Sequence, residues 1–492
     1  MTRFRESQTM PLQRSRPAPE RRVFCNRTLN LRSIRAIGFD MDYTLVHYDV
    51  RAWEARAYAH VQQRLLELGQ PVAELVFDAD RFARGLILDL ERGNVVKANR
   101  FGYVTQATHG MRPLPHDEQR RCYSQVWVDL GEPRWVFLNT LFSLSEACLY
   151  AQLVDLLDQG ALVGAFDYAS LYRLVGRTMD AAHLEGRLKA EIIAEPERFV
   201  PLDDELPRAL LDLQQAGKRL FLATNSEWHY TRAMMSWAFD RFLPKGGWRK
   251  LFELVIAQAR KPGFFEAEAA VEELLDDAGS STPVTGLRAG GAYRGGNAQM
   301  VQEYFGVAGE DILYVGDHVY ADVHVSSSIR RWRTALVLRE LEDEVRDEQA
   351  FAADAERLRR LMLDKEALEH EQATLRLALQ RREHGAPVPD GSAQDPALIH
   401  ERLRTLRVEL DELDGRIAPL ARRGSQLGHP HWGPLMRAGN DKSRLARQIE
   451  RHADVYMSRV SNLLHLTPFG YLRAARGSLP HDSVQAAASD AT

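Results

Sequence analysis

Asp40 and Asp42 stand two apart in the string GFDMDYTL, just past a short apolar run. Neighbouring carboxylates of this kind can divide labour. One stays ionised as nucleophile or metal ligand, while the other, held protonated by its neighbour's charge, serves as an acid. Taken alone, the pair also reads as a solvated acidic turn. Three further stretches add different chemistry. Thr224-Asn225-Ser226 offers hydroxyl and backbone N–H groups that could receive phosphate oxygens, or an ordinary turn and helix N-cap. Lys261, in Arg260-Lys261-Pro262, could neutralise phosphate or simply lie on the surface. The string GDHVYAD supplies Asp317 and Asp322, hard oxygen ligands that suit Mg²⁺. His318 reads as a hydrogen-bonding or packing residue rather than a ligand, because a carboxylate site selects Mg²⁺ over zinc.

These residues need a scaffold that brings them together. Apolar runs predict short buried strands over 34–39, 219–223, 312–315 and 334–338, and helical patterns such as 206–215, stopped by Gly217, separate them. The alternation describes an α/β fold with a parallel sheet, whose ligands sit outside the carboxyl ends of the strands. Each chemical stretch lies at such an end or just beyond it. All four can therefore converge on one crevice and offer nucleophile, proton donor, phosphate grip, cation and metal site, the set that phosphoryl transfer needs.

About 180 residues separate the first strand from the second, too many for one crossover, so they are expected to form a domain of their own. Helices are predicted over 142–157 and, unbroken, over 168–193. The glycines between Gly286 and Gly296 predict a mobile loop. From Ala352 the pattern changes: Leu361, Leu368 and Leu375 recur at seven, and Leu403, Leu406, Leu410, Leu413, Ile417 and Leu420 alternate steps of three and four. Joined by the Gly/Pro-containing stretch 385–396, they predict an antiparallel coiled-coil hairpin with a solvated charged face. Beyond Gly424, Trp432, Tyr456, Phe469 and Tyr471 mark a return to the globular body.

The order Asp-x-Asp-x-Thr, Thr, Lys, Gly-Asp-x-x-x-x-Asp resembles the haloacid dehalogenase superfamily of aspartate-based phosphatases. Longer strings, VFCNRTLNL, GFDMDYTL, LNTLF, ATNS, ARKPGFF, ILYVGDH, ADVYMSRVSNLL and PFGYLRAA, look like the cytosolic purine 5′-nucleotidases, the group preferring IMP and GMP. The similarity runs from about residue 22 to residue 482, with a gap over the hairpin, which looks like an insertion. The resemblance implies a Rossmann-like parallel-sheet core over 23–48 and 205–350, with an inserted cap for substrate specificity over 49–204. The hairpin would occupy 351–424, a C-terminal helical segment over 425–482 would pack on the core, and tails over 1–22 and 483–492 would be disordered.

It also implies roles. Asp40 would attack the 5′-phosphate and form an aspartyl-phosphate; Asp42 would protonate the leaving ribose oxygen and then deprotonate the hydrolytic water. Mg²⁺ would be held by Asp40, the main-chain carbonyl of Asp42, and Asp317. Thr224, Asn225 and Lys261 would hold phosphoryl oxygens, and Asp322 would organise Lys261 or the metal shell. Asn139 and Phe142 in LNTLF, together with Asp180, His183 and Lys189, match substrate-binding positions; Phe142 would pack on the purine, unless it is plain core. The arginine expected four residues before Asp180 is Gly176, with Arg173 and Arg177 nearby, so Arg177 is expected to replace it or base selectivity to differ.

Composition bounds the rest. The 492 residues hold 64 Lys+Arg against 68 Asp+Glu, a formal charge of −4 that provides no global field for nucleic acid or an anionic membrane. No stretch approaches the roughly 18 apolar residues of a membrane span. Three widely spaced cysteines build neither a disulfide framework nor a zinc cluster and fit a reducing, cytoplasmic setting. The expected partners are a purine mononucleotide substrate, a nucleotide effector and further copies of the chain. Two other readings stand beside the nucleotidase: the same chemistry on another phosphate ester, and an interaction scaffold with a vestigial core.

Overall fold

The structure is a computed structural model that describes residues 17–184, 186–243, 247–267, 269–388 and 395–477. Its centre is a ten-stranded sheet built from β1 (Val23–Cys25), β2 (Ala36–Phe39), β3 (Arg219–Ala223), β4 (Leu254–Ala257), β5 (Val271–Leu274), β6 (Ser281–Val284), β7 (Gly291–Gly295), β8 (Ile312–Gly316), β9 (Arg333–Val337) and β10 (Val455–Met457). The spatial order is β1-β10-β9-β8-β2-β3-β4-β7-β5-β6. Neighbours from β10 across to β7 pair in parallel, and β1, β5 and β6 close the two edges antiparallel. The four expected strands are all present, each within two residues of its predicted bounds.

The inner strands read as unbroken apolar runs because both faces are covered. Ile37, Phe39, Leu220, Leu222, Leu313 and Val315 enter one core, while their alternates Ala36, Phe221, Ala223, Ile312 and Tyr314 enter another on the opposite face. From β2 the chain departs toward β3, whereas from β8 it departs toward β9 on the other side. The connections therefore diverge between β2 and β8, which opens a crevice at their carboxyl ends.

Between β2 and β3 the chain builds a separate layer. Helices α1 (Val50–Glu67), α2 (Leu144–Asp158), α3 (Tyr168–Leu184) and α4 (Arg187–Ala194) accompany a five-stranded antiparallel sheet ordered Arg112–Pro113, Val104–His109, Asn94–Ala98, Ile87–Asp89, Trp135–Phe137. Helix α1 starts at Asp49, whose carboxylate accepts the Ala52 N–H at 2.8 Å as an N-cap. The expected single helix over 168–193 is two, α3 and α4, separated around Gly186, whose φ of 69° is left-handed. The expected mobile loop over 286–296 is also corrected: Gly291–Gly295 is β7, paired with both β4 and β5. Glycine suits that setting because a Cβ on Gly291 would meet Tyr293 Oη at 2.2 Å.

Helices α5 (Leu341–Glu383) and α6 (Pro396–Ser425) run antiparallel, as the ion pairs Asp354–Arg423, Lys365–Asp414 and Glu371–Arg402 fix. Their shared seam buries Leu361, Leu413, Ile417 and Leu420 near the body, and Leu375, Ala378, Ile399 and Leu406 further out. The chain then re-enters the body through α7 (Arg444–His452) and β10. Ahead of the expected start at residue 23, Pro19–Arg21 already forms a turn in which Arg21 pairs with Asn462 and Glu205. Residues 1–16 and 483–492, the remainder of the expected tails, lie outside the described residues.

Two outcomes follow from this packing. A Cβ on Gly38 in β2 would lie 2.2 Å from Phe221 Cζ, so Gly38→Ala is expected to cost about 1–3 kcal/mol by overpacking, read from the urea midpoint; an unchanged midpoint would show that Phe221 gives way freely. Glu54 on α1 is fully buried, and burial pushes its carboxyl up to about 7 despite the hydrogen bond from the Ser145 N–H at 2.7 Å. Its neutral form is therefore the one the fold favours, and stability is lost as pH rises from the ordinary carboxylate range to about 7. Glu54→Gln should gain on the parent between pH 5 and pH 8, on the order of 3 kcal/mol, whereas parallel stability profiles would remove Glu54 as the cause.

Candidate active site

Asp40 follows β2 directly, and its N–H donates to Val315 C=O at 2.8 Å, which ties the strand end to β8. The next turn is tight: Thr44, Leu45 and Val46 N–H groups all donate to Met41 C=O. That closure needs Tyr43 at a φ of 53°, an uncommon conformation for a bulky side chain. The turn aims Asp40 and Asp42 into a cavity of about 330 Å³. Thr140, Phe142 and Lys189 from the inserted segment, Asn225 and Ser226 after β3, Lys261 after β4, and Asp317, His318 and Asp322 after β8 complete its lining with Trp53 and Ala321.

Lys261 is the hub. Its Nζ lies 2.7 Å from Asp40 Oδ1 and 2.7 Å from Asp322 Oδ1, with Tyr314 Oη at 3.3 Å. Asn225 holds the lysine by its backbone, since its side-chain N–H donates to Lys261 C=O at 3.0 Å and its side-chain oxygen accepts the Lys261 N–H at 2.6 Å. Gln258 and Arg260, at φ of 48° and 60°, shape the same loop. Burial alone would lower the Lys261 ammonium, but Asp322 and Asp40 outweigh it and hold it well above the usual lysine range. For Asp40 burial is the largest effect and pushes the carboxyl well up; Lys261 pulls it back, and Asp322, Asp42 and Asp317 add to the rise.

The two remaining acidic groups beyond β8 differ in what satisfies them. Asp322 accepts from Lys261 on one oxygen and from the His318 N–H at 3.1 Å on the other. Asp317 accepts a long hydrogen bond of 3.5 Å from Thr140 Oγ1, while Arg84 donates to its main-chain carbonyl at 3.1 Å and pairs with Glu340. Burial lifts the Asp317 carboxyl to about 7, with Arg84 opposing. Asp40, Asp317 and Asp322 present carboxylate oxygens within 4.8 Å of one another, all three buried. An oxygen-only cluster of this kind suits a hard divalent cation. His318 uses Nδ1 to accept the Ala321 N–H at 2.9 Å, in keeping with a hydrogen-bonding role.

Asp42 is held on both oxygens: Tyr48 Oη donates to Oδ1 at 2.5 Å and Ser226 Oγ to Oδ2 at 2.7 Å. Phe142 lies between the cavity and its neighbouring rings. It lines the cavity and packs on Tyr43 and Trp53, with ring centroids 4.6 and 5.2 Å apart. Lys189 pairs with Glu227 at 2.5 Å and sits 5.2 Å above the Tyr230 ring.

The other expected site residues are placed differently. Thr224 is fully buried outside its lining, with Oγ1 accepting the Ser226 N–H at 3.1 Å, and the Asn225 side chain is committed to Lys261 rather than left for phosphate. Asn139 is half-buried beside the cavity without lining it; Arg173 and Arg177 do not line it either. The side chains of Asp180 and His183 lie outside the described residues. Tyr48, Trp53, Thr140 and Arg84 join the site without having been expected there. Thr140 stands within LNTLF, between Asn139 and Phe142, whereas Arg84 has no motif that would mark it.

The chain matches the 5′ nucleotidase family over residues 23–484. It is 26% identical over 474 residues to a 5′-nucleotidase domain-containing protein of Dictyostelium discoideum, covering 94% of this chain and 74% of that protein. It is 30% identical over 341 residues to the human 5′-nucleotidase domain-containing protein 2, covering 66% of this chain and 64% of the human one. With the rat protein of the same name it shares 27% over 478 residues, covering 94% and 80%. Among the described residues no helix is long and apolar enough to cross a membrane. With a match across nearly its whole length and a cavity that gathers carboxylates and a lysine at strand ends, the chain belongs to the 5′ nucleotidase family, consistent with a phosphoric monoester hydrolase.

Proposed function

We propose that this protein is a Mg²⁺-dependent 5′-nucleotidase of the haloacid dehalogenase type, which hydrolyses purine nucleoside 5′-monophosphates such as IMP and GMP through an aspartyl-phosphate on Asp40. The observation that carries the reading is the placement of Asp40 on the central strand end, 2.7 Å from Lys261, with Asp42 turned into the same cavity. The Asp40 carboxylate attacks phosphorus and the bond from phosphorus to the ribose O5′ breaks. Asp42 gives its proton to the departing oxygen. Water then attacks the phosphorus of the aspartyl-phosphate and passes a proton to Asp42, which releases phosphate and restores both groups.

The donor set fits the cation. Three buried carboxylates crowd together, and Asp317 has a carboxyl satisfied only by the long contact from Thr140 among the described residues. Asp40, Asp317 and the main-chain carbonyl of Asp42 would hold Mg²⁺, leaving Asp322 to orient Lys261. When bound, the ion offsets the repulsion between an anionic nucleophile and an anionic phosphate. Lys261 meets the phosphoryl oxygens, and the Asn225 main-chain N–H after β3 serves as a further donor. The inserted layer acts as the specificity cap, with Phe142 and Trp53 giving the purine an aromatic wall. Asp180, His183 and Lys189 are proposed to read the substrate beside it. The paired α5 and α6 form a coiled-coil hairpin that stands apart from the chemistry and suits assembly with further copies of the chain. Three unpaired cysteines agree with a cytoplasmic setting.

Phosphate release from a panel of mononucleotides and sugar phosphates tests the reading. IMP and GMP should lead, activity should vanish with chelation and return with Mg²⁺, and Asp40→Asn should fall by several orders of magnitude while keeping its fold. Near-parent turnover by Asp40→Asn would overturn the mechanism, and a preference for a sugar phosphate would overturn the substrate class.

A further inference from the structure

The carboxyl that moves the proton is gripped from outside the substrate cavity. Tyr48 and Tyr230 are buried, at 4% and 2% exposure, and neither lines that cavity. Tyr230 Oη donates to Tyr48 Oη at 3.0 Å, and Tyr48 Oη donates to Asp42 Oδ1 at 2.5 Å. The phenol oxygen of Tyr48 thus accepts from one side, and its own proton is committed to Asp42. Its ring is wedged among Tyr43, Trp53 and Phe142, with centroids 5.3, 4.5 and 6.4 Å away, so the hydroxyl has little room to swing. Tyr48 lies in the segment that leads into α1 and the inserted layer, whereas Tyr230 lies on the core helix Trp228–Phe239. The grip on Asp42 is therefore assembled from both parts of the chain.

We propose that Tyr48, aligned by Tyr230, is a positioning residue that aims the Asp42 carboxyl at the leaving-group oxygen. It does not touch substrate; it acts through Asp42, and the inference rests on the acid/base role given to Asp42 above. A proton donor matters for a leaving group that departs poorly as an anion, such as a ribose 5′-oxygen. It matters little for p-nitrophenolate, which leaves unprotonated. Loss of the Tyr48 hydroxyl should separate the two kinds of ester, which a loss of packing would not do.

The test compares the parent, Tyr48→Phe and Tyr230→Phe, each lacking one oxygen and keeping its ring, on IMP and on p-nitrophenyl phosphate with Mg²⁺. In Tyr48→Phe, kcat on IMP should drop roughly 10- to 100-fold with KM held, part of the effect of a full acid/base group. The first-turnover burst of nitrophenolate should stay within about threefold of the parent, because that step needs no proton. The following steady state should slow, because Asp42 must still activate water. Tyr230→Phe should show the same pattern more weakly. A nitrophenolate burst that falls as far as turnover of IMP, an effect confined to KM, or unchanged turnover of IMP would each overturn the assignment. A parent that releases phosphate from neither ester would overturn the phosphatase reading, and this inference with it, whereas an active parent with an insensitive Tyr48→Phe refutes the inference alone.

Discussion

One buried ammonium holds the site together. Lys261 bridges Asp40 and Asp322 at 2.7 Å each, in a pocket that also contains Asp317 and Asp42. Burying several carboxylates is costly unless charge and hydrogen bonds answer them. Lys261 answers two, Arg84 reaches the backbone of a third, and Tyr48 and Ser226 satisfy the fourth. The remaining deficit falls on Asp317, whose carboxyl burial lifts to about 7. An oxygen-only cluster short of positive charge in this way could hold a hard cation.

Rigid elements make such an arrangement tenable. Asp40, Thr224, Lys261 and Asp317 each follow one of four adjacent parallel strands, so the sheet sets their spacing. Local backbone strain does the finer aiming. Tyr43, Gln258 and Arg260 take left-handed conformations within two or three residues of the groups they orient. Asn225 is best understood here as well: its amide clamps the Lys261 backbone on both sides, which fixes the lysine loop against the end of β3.

Much of this arrangement is legible in the sequence. The strand ends carrying Asp40, Thr224 and Asp317 stand out because buried parallel strands are apolar throughout and stop abruptly at polar residues. The seam of α5 and α6 stands out because leucines spaced at seven return to the same face of a helix again and again, which aligns one apolar stripe along its length. The inserted sheet is hidden for the opposite reason. Asn94–Ala98 is buried at every position yet contains Asn94 and Lys97, so neither alternation nor a clean apolar run announces it. Gly291–Gly295 reads as a loop because glycine density usually marks one, whereas here close neighbours exclude larger side chains. Arg84, Tyr48 and Tyr230 escape notice because their importance lies in long-range contacts, across 233 residues for Arg84 with Asp317 and 182 for Tyr230 with Tyr48, and no local pattern encodes these.

The central claim is that Asp40 carries the phosphoryl group between substrate and water. Mixing the protein with IMP and Mg²⁺, quenching in acid within milliseconds and mapping the peptides by mass spectrometry addresses it directly. The account predicts a transient phosphate adduct on the peptide containing Asp40, formed and lost at rates compatible with turnover and absent from Asp40→Asn. Phosphate release with no adduct at any point in the time course, or an adduct on a different residue, would contradict it.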